Sequence, residues 1–194
     1  MNLFERVRDQ MRAAPPTQGF GTSFVSDPRR DFADLFTQPG DYLTSSNGFY
    51  AAANLRAKSV ARSPWQLEDE ADDSATKDAP ILDLLRRPNQ HYTPNKLKRL
   101  TELALTVWGE YFWVLERGQT GLGRPREIWP VKPTIMQAVP SKTEFLAGFK
   151  LSPPDGSKSI FFAPSEVVWF IQPHPADEFT ALSPLAAAML PADT

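Results

Sequence analysis

The sequence predicts an α+β fold with mixed, mainly antiparallel strands and three to four helices. Three observations carry that prediction. Leu97, Leu100, Leu103, Ala104, Val107 and Trp108 fall at the i, i+3, i+4 spacing of a buried helical stripe. From Glu110 the period changes: Tyr111, Trp113 and Leu115 alternate with Phe112, Val114 and Glu116, as in a strand with both faces partly covered. Short apolar runs then recur between turn residues as far as Ile171, and Pro153-Pro154-Asp155-Gly156 is a strong hairpin signal between two of them.

Taken in order, residues 3–12 spell a short helix with Leu3, Phe4, Val7 and Met11 on one face. Residues 13–42 are rich in Pro, Gly, Ser, Thr and Asp, with Phe20, Phe24, Phe32 and Phe36 spread through them. They read as an extended arm pinned either to its own domain or to an adjacent subunit. Ser45-Ser46-Asn47 offers caps for a helix over 48–62 with Phe49, Ala52, Ala53, Arg56 and Val60 on one face. Pro64 ends that helix, and Trp65-Gln66-Leu67 reads as a short strand.

The acids between Glu68 and Asp78 lack the alternating ligands, central Gly and terminal Glu of an EF-hand, so they read as a solvated loop. Ile81-Leu82 with Leu84-Leu85 gives one or two helical turns stopped by Pro88. Thr93 as cap and Pro94 in the first turn open the main helix, with Lys96, Lys98 and Arg99 on its solvated side. Gly109 stands where a left-handed cap is wanted. The strand candidates after it are 110–117, 127–129, 135–139, 145–151, 159–162 and 166–171. Ser183-Pro184 then opens a last helix.

Composition bounds the function. A chain of 194 residues with 41% hydrophobic and 23% charged residues is globular and long enough to bury a core. Its longest apolar runs, such as Val167–Ile171, fall far short of the roughly 20 residues that cross a bilayer. The absence of cysteine removes disulfide and thiolate chemistry. A net charge of −2 argues against a dedicated nucleic-acid-binding domain.

Chemistry-bearing patterns are few. Only His91 and His174 could serve His-dependent catalysis, and no nucleophile elbow, zinc-protease helix or Walker sequence occurs. Gly118 to Gly123 lacks the Gly-Lys-Ser or Gly-Lys-Thr ending of a phosphate loop. Metal ligation by the histidines with Asp177 or Glu178 gives way to surface loops. Glu116 and Glu127 could face each other across a hairpin, as a glycosidase requires, but they read as solvated salt-bridge partners of nearby arginines. The residues thus nominate no catalytic, cofactor-binding or metal site. Trp108, Trp113, Trp129 and Trp169 lie within regular elements and read as core or subunit interface.

The order of elements resembles the portal proteins of long-tailed bacteriophages, the ring through which double-stranded DNA enters and leaves the capsid. The resemblance rests on Trp65 after Pro64, the acidic loop, Leu84-Leu85-Arg86-Arg87-Pro88-Asn89, the helix begun by Thr93, and Gly109-Glu110-Tyr111-Phe112-Trp113. It continues through Ile128-Trp129-Pro130-Val131-Lys132-Pro133, Phe162-Ala163-Pro164-Ser165-Glu166-Val167 and Ser183-Pro184-Leu185. It covers about residues 45–190. Two departures stand out: the Asn and Ala that usually come after the glycine are replaced by Glu110 and by nothing equivalent, and portal chains continue beyond Ser-Pro-Leu into stem, clip and crown.

The resemblance implies a portal wing-type α+β domain over 45–181, an N-terminal helix and arm over 1–44, and a truncated start of the stem helix over 182–194. It implies the outer wing alone, as a fragment, a truncated prophage product or a split gene. It further implies a structural, non-enzymatic subunit of a virion head-tail connector that forms a ring, in the family a dodecamer. Expected partners are the major capsid protein, a head-completion adaptor, terminase during packaging, and double-stranded DNA in the assembled ring, with no cofactor or metal. From a different class, a small hydrolase or sugar-active enzyme on the strand-rich half remains an alternative, as does a monomeric interaction protein derived from a portal gene.

Overall fold

Three structural layers arise from one strand that is apolar on both faces. The computed structural model describes residues 47–68, 79–118 and 123–185. Its elements are α1 (Asn47–Arg62), α2 (Pro80–Arg86), α3 (Pro94–Val107), β1 (Glu110–Glu116), β2 (Glu127–Val131), β3 (Met136–Pro140), β4 (Leu146–Leu151), β5 (Ile160–Phe162) and β6 (Val167–Ile171), with a 3-10 turn at Pro164–Glu166. One sheet runs β2-β1-β6 and the other β3-β4-β5. Every pairing between these strands is antiparallel. The expected helix over 3–12, the arm over 13–42 and most of the acidic loop lie outside the described residues, as does part of the 118–123 turn.

Alternation along β1 assigns its two faces. Tyr111 and Trp113 join Leu84, Leu97, Ala104 and Ile128 in a core under the helices. Phe112 and Val114 join Trp129, Val131, Met136, Phe149, Leu151, Ile160, Phe162 and Val167 in a second core between the sheets. Register sets the neighbours: Phe112 lies opposite Val131 on one side and Trp169 on the other. Phe112 stacks on Trp169 with ring centroids 6.2 Å apart, and Phe149 meets both rings edge-on at 5.7 and 5.8 Å. Burying each of the fully enclosed Phe112, Phe149 and Phe162 contributes about 1.5–3 kcal/mol.

This layering shows which of the two cores Trp169, read from sequence as core or subunit interface, belongs to. Its parity sends it to the inter-sheet core, and Phe170 takes the helix side, edge-on to Trp113 at 4.6 Å. Leu97 and Val107 are fully buried as expected, but Leu100 and Trp108 are only half-buried at the margin.

The helical layer brings a second correction. The buried ridge of α1 is Ala53, Ala57 and Ala61, spaced four residues apart, while Ala52, Arg56 and Val60 are exposed. An i±4 alanine ridge lets two helices approach closely, and that approach covers the side of α3 read as solvated. Lys98 and Glu102 are buried there. Residues 65–67 form no strand, and the Trp65 ring instead takes the Lys98 ammonium 4.4 Å from its centroid.

Several terminators behave as the sequence requires. The Thr93 hydroxyl accepts the Lys96 N–H at 3.2 Å to cap α3. The Pro153–Gly156 turn closes with Gly156 N–H donating to the Pro153 carbonyl at 3.3 Å, between antiparallel β4 and β5. Pro130 is tolerated because β2 lies at the edge of its sheet.

Candidate functional site

The place where the chain leaves the sheets is a close backbone crossing. α3 ends at Val107, and Gly109 reverses the chain with φ +80°. Its carbonyl accepts the Gln172 N–H at 2.7 Å, and the Gln172 carbonyl accepts the Leu182 N–H at 3.1 Å. The buried Ser183 hydroxyl donates to the Val107 carbonyl at 2.6 Å, a bond between residues 76 positions apart. A β-carbon on Gly109 would lie 2.7 Å from the Leu182 carbonyl oxygen and 2.9 Å from the Ser183 nitrogen. Only glycine allows this contact. Pro184 and Leu185 then begin a helical turn, with Leu185 buried, so the direction in which the chain departs is fixed by the end of α3. Sequence reading found Ser183 as a helix cap but missed its bond to Val107, because nothing local signals a partner so distant.

A second junction fastens α2 to the first sheet. The Pro88 carbonyl accepts the Ile128 N–H at 2.8 Å, and the Asn89 side-chain amide donates to the Ile128 carbonyl at 2.7 Å. The other end of that amide accepts the His91 and Tyr92 N–H groups at 2.7 and 3.0 Å. Pro88-Asn89 therefore satisfies backbone groups at the β2 edge that would otherwise invite another strand. In the same way Phe162-Ala163-Pro164-Ser165-Glu166 closes on itself: the Glu166 carboxylate accepts the Ala163 N–H at 2.7 Å and turns the chain into β6.

Charge inside the domain is paired between helices. Arg56 meets Glu102 at 2.5 Å, Arg99 donates to the Asn54 side chain at 2.6 Å, and the Lys98 ammonium donates to the Ser63 carbonyl. Burial holds Lys98 below the ordinary lysine range. On the other side of α3, Thr101 accepts the Trp113 indole N–H at 2.9 Å and donates to the Leu97 carbonyl. Glu110, which stands where the resemblance expects Asn, accepts the Trp169 indole N–H at 3.0 Å. Burial raises its carboxyl above the ordinary glutamate range, with the Trp169 bond opposing the shift.

The residues considered for catalysis are not brought together. His91 lies edge-on to Trp129 at 5.7 Å, whereas the His174 Nδ1 accepts the Ala176 N–H at 3.2 Å. Asp177 sits opposite His174 in an isolated bridge and is held below the usual carboxylate range by the Thr180 hydroxyl and the Phe179 N–H. Glu116 and Glu127 are cross-strand partners, yet each carboxylate is engaged locally, by the Gly118 N–H at 2.8 Å and the Trp129 indole at 2.9 Å. Among the described residues, no group of three or more His, Asp and Glu side chains could hold a metal ion. No helix among them is long and apolar enough to cross a membrane.

The phage portal protein family matches residues 48–192, which span α1, both sheets and the Ser183 junction. No curated protein matches the chain. Among solved structures it is similar to a chain from the neck of an empty gene transfer agent particle with C6 symmetry, with TM-score 0.68 and 21% identity over 80% of this chain and 41% of that one. It is also similar to a chain from the virion of a native gene transfer agent particle, with TM-score 0.63 and 21% identity over 77% and 39%. A third match, from the native neck with C12 symmetry, has TM-score 0.62 and 21% identity over the same shares. The chain thus spans about two-fifths of the solved chains it matches, and at this identity the likeness is one of fold. The family match extends over most of the sequence, and the chain belongs to the phage portal protein family.

Proposed function

We propose that this chain supplies the wing of a portal subunit, a structural part of the ring through which double-stranded DNA is packaged and ejected. The family match over residues 48–192 carries the proposal, and the fold shared with chains of gene transfer agent necks and virions supports it. In this reading residues 45–181 are the wing, 1–44 are an arm that secures it, and 182–194 lead toward the stem. The ring is dodecameric and sits in the virion after assembly in the host cytoplasm. The major capsid protein surrounds it, an adaptor joins it to the tail, and terminase docks on it during packaging.

The domain works by packing and catalyses no reaction. A net charge of −2 suits a surface that meets protein, because a DNA-lining surface needs basic residues. The Ser183 junction then serves to hold the wing at a fixed angle to the stem. Disrupting the gene in the producing strain tests the proposal. It should leave capsids that lack packaged DNA and tails, with both restored by the gene supplied in trans. DNA-filled, tailed particles made without the gene would overturn it.

A further inference from the structure

A strand at the edge of a sheet carries backbone N–H and C=O groups on its outer side that need partners. The two sheets end in four such edges, β2 and β6, β3 and β5. Two of them are closed. Pro88 and Asn89 bond both backbone groups of Ile128 on the outer side of β2, where Pro130 has no N–H to offer. β5 is three residues long, and the Glu166 carboxylate takes the N–H of Ala163 just beyond it.

The other two edges are open. The Gln172 N–H donates to the Gly109 carbonyl at 2.7 Å and sets the alternation of β6: Val168 and Phe170 bond to β1, while Trp169 and Ile171 direct N–H and C=O outward. The Ser152 N–H donates to the Ile135 carbonyl at 2.7 Å, and the same alternation turns Gln137 and Val139 toward β4 and leaves Met136 and Ala138 facing outward. These outward groups have no partner among the described residues. Neither strand carries a charge, and β6 reads Val-Val-Trp-Phe-Ile. An uncharged apolar edge of this kind is a template for another strand.

Lys132–Ile135 joins β2 to β3, and the 3-10 turn joins β5 to β6. With β4 packed over β1 and β6 through Phe149, these short links keep β3 beside β2 and β5 beside β6. The two open edges thus lie on different sides of the domain, and each copy carries one of each. A ring needs two unlike surfaces, because a surface that pairs with itself closes as a two-fold dimer.

We propose that neighbouring copies of this chain join edge to edge, the β6 edge of one copy against the β3 edge of the next. Trp169 and Ile171 exchange backbone hydrogen bonds with Met136 and Ala138 of the neighbouring copy, so the β2-β1-β6 sheet of one copy continues into the β3-β4-β5 sheet of the next. The inference rests on the ring reading above and names the surfaces that build the ring.

The chain has no cysteine, so introduced thiols report single contacts. Pairing outward residues with outward residues makes the exposed Val168 of one copy and the exposed Gln137 of the next facing or diagonal neighbours on one face of the joined sheet. Particles assembled with V168C/Q137C and treated with a short bismaleimide should give a ladder of covalent multimers of this chain. V168C or Q137C alone should give none. In necks that hold the chain, cross-links no more frequent than in the single variants would overturn the edge pairing and leave the ring reading standing. Dimers from V168C alone would overturn it in favour of β6 pairing with β6, and a chain missing from the neck would overturn both readings.

Proline on either edge gives an independent reading. Ala138→Pro and Ile171→Pro each remove an outward N–H and break no hydrogen bond inside the domain. Combined with V168C/Q137C, either one should abolish the ladder while the isolated chain keeps the parent circular dichroism spectrum. A ladder that persists in a folded proline variant would refute the pairing.

Discussion

Replacing Gly109 by Ala examines the chain crossing at the end of α3. Two costs are expected. Holding alanine at φ +80° costs about 1–2 kcal/mol, because its β-carbon crowds the next carbonyl. The new methyl would also lie 2.7 Å from the Leu182 carbonyl oxygen, which is backbone and cannot rotate aside. Residues 182–183 must shift, weakening the bond from the Ser183 hydroxyl to Val107 and the bond from Leu182 N–H to Gln172. At a net ~0.5–1.5 kcal/mol each, these add about 1–3 kcal/mol.

Gly156 is the matched control. Its φ is +75°, but a β-carbon there meets nothing within 4 Å. Gly156→Ala therefore carries the same backbone strain and the same unfolded-chain effect without the collision. Urea unfolding monitored by tryptophan fluorescence should place Gly109→Ala about 1–3 kcal/mol below Gly156→Ala. Hydrogen exchange should show the Leu182 amide losing protection only in the former. Two variants within about 0.5 kcal/mol of each other, with Leu182 still protected, would refute the claim that this crossing fixes the departing chain.

Other perturbations test the layers. Leu97→Ala should cost about 2–5 kcal/mol and Leu100→Ala distinctly less, since only Leu97 is fully enclosed; equal losses in chemical denaturation would contradict the burial assignment. Thr101→Val removes the acceptor of the buried Trp113 indole and should cost about 1–3 kcal/mol, and a neutral result would show that the indole finds another partner. Glu110 has a folded pKa raised above its unfolded value, so the folded state binds more protons and stability falls as pH rises from the unfolded value of 4.5 through the raised one. Glu110→Gln keeps an acceptor for Trp169 without the buried charge. It should match the parent near pH 4, flatten this dependence, and equal or exceed the parent at pH 7; clear destabilisation at pH 7 would refute the burial argument.

The sequence made much of the fold legible because period and punctuation agree. The switch from helical spacing to alternation at Gly109 places α3 and β1, Thr93-Pro94 places the start of α3, and Pro153–Gly156 places the hairpin. Which face meets which layer was less legible. The buried ridge of α1 consists of small alanines, whose periodicity is outweighed in any apolarity pattern by Val60 and Leu55, both solvent-exposed. Lys98 and Glu102 look like surface residues until α1 covers them and supplies the Ser63 carbonyl and Arg56. Trp169 could have packed on either side of its sheet, and the choice depends on Phe112 and Phe149, which sequence spacing cannot bring together. At the exit junction the residue types were visible, but the bond from Ser183 to Val107 depends on the path of β6 and the loop after it.

Cryo-electron microscopy of the neck of particles that carry this chain tests the portal assignment most directly. The account predicts twelve copies around the DNA axis. In each, the two three-stranded sheets and the α1–α3 layer should lie at the ring's periphery, with the chain turning inward at Ser183. Density that places this domain against the DNA, or particles whose necks lack the chain, would contradict it.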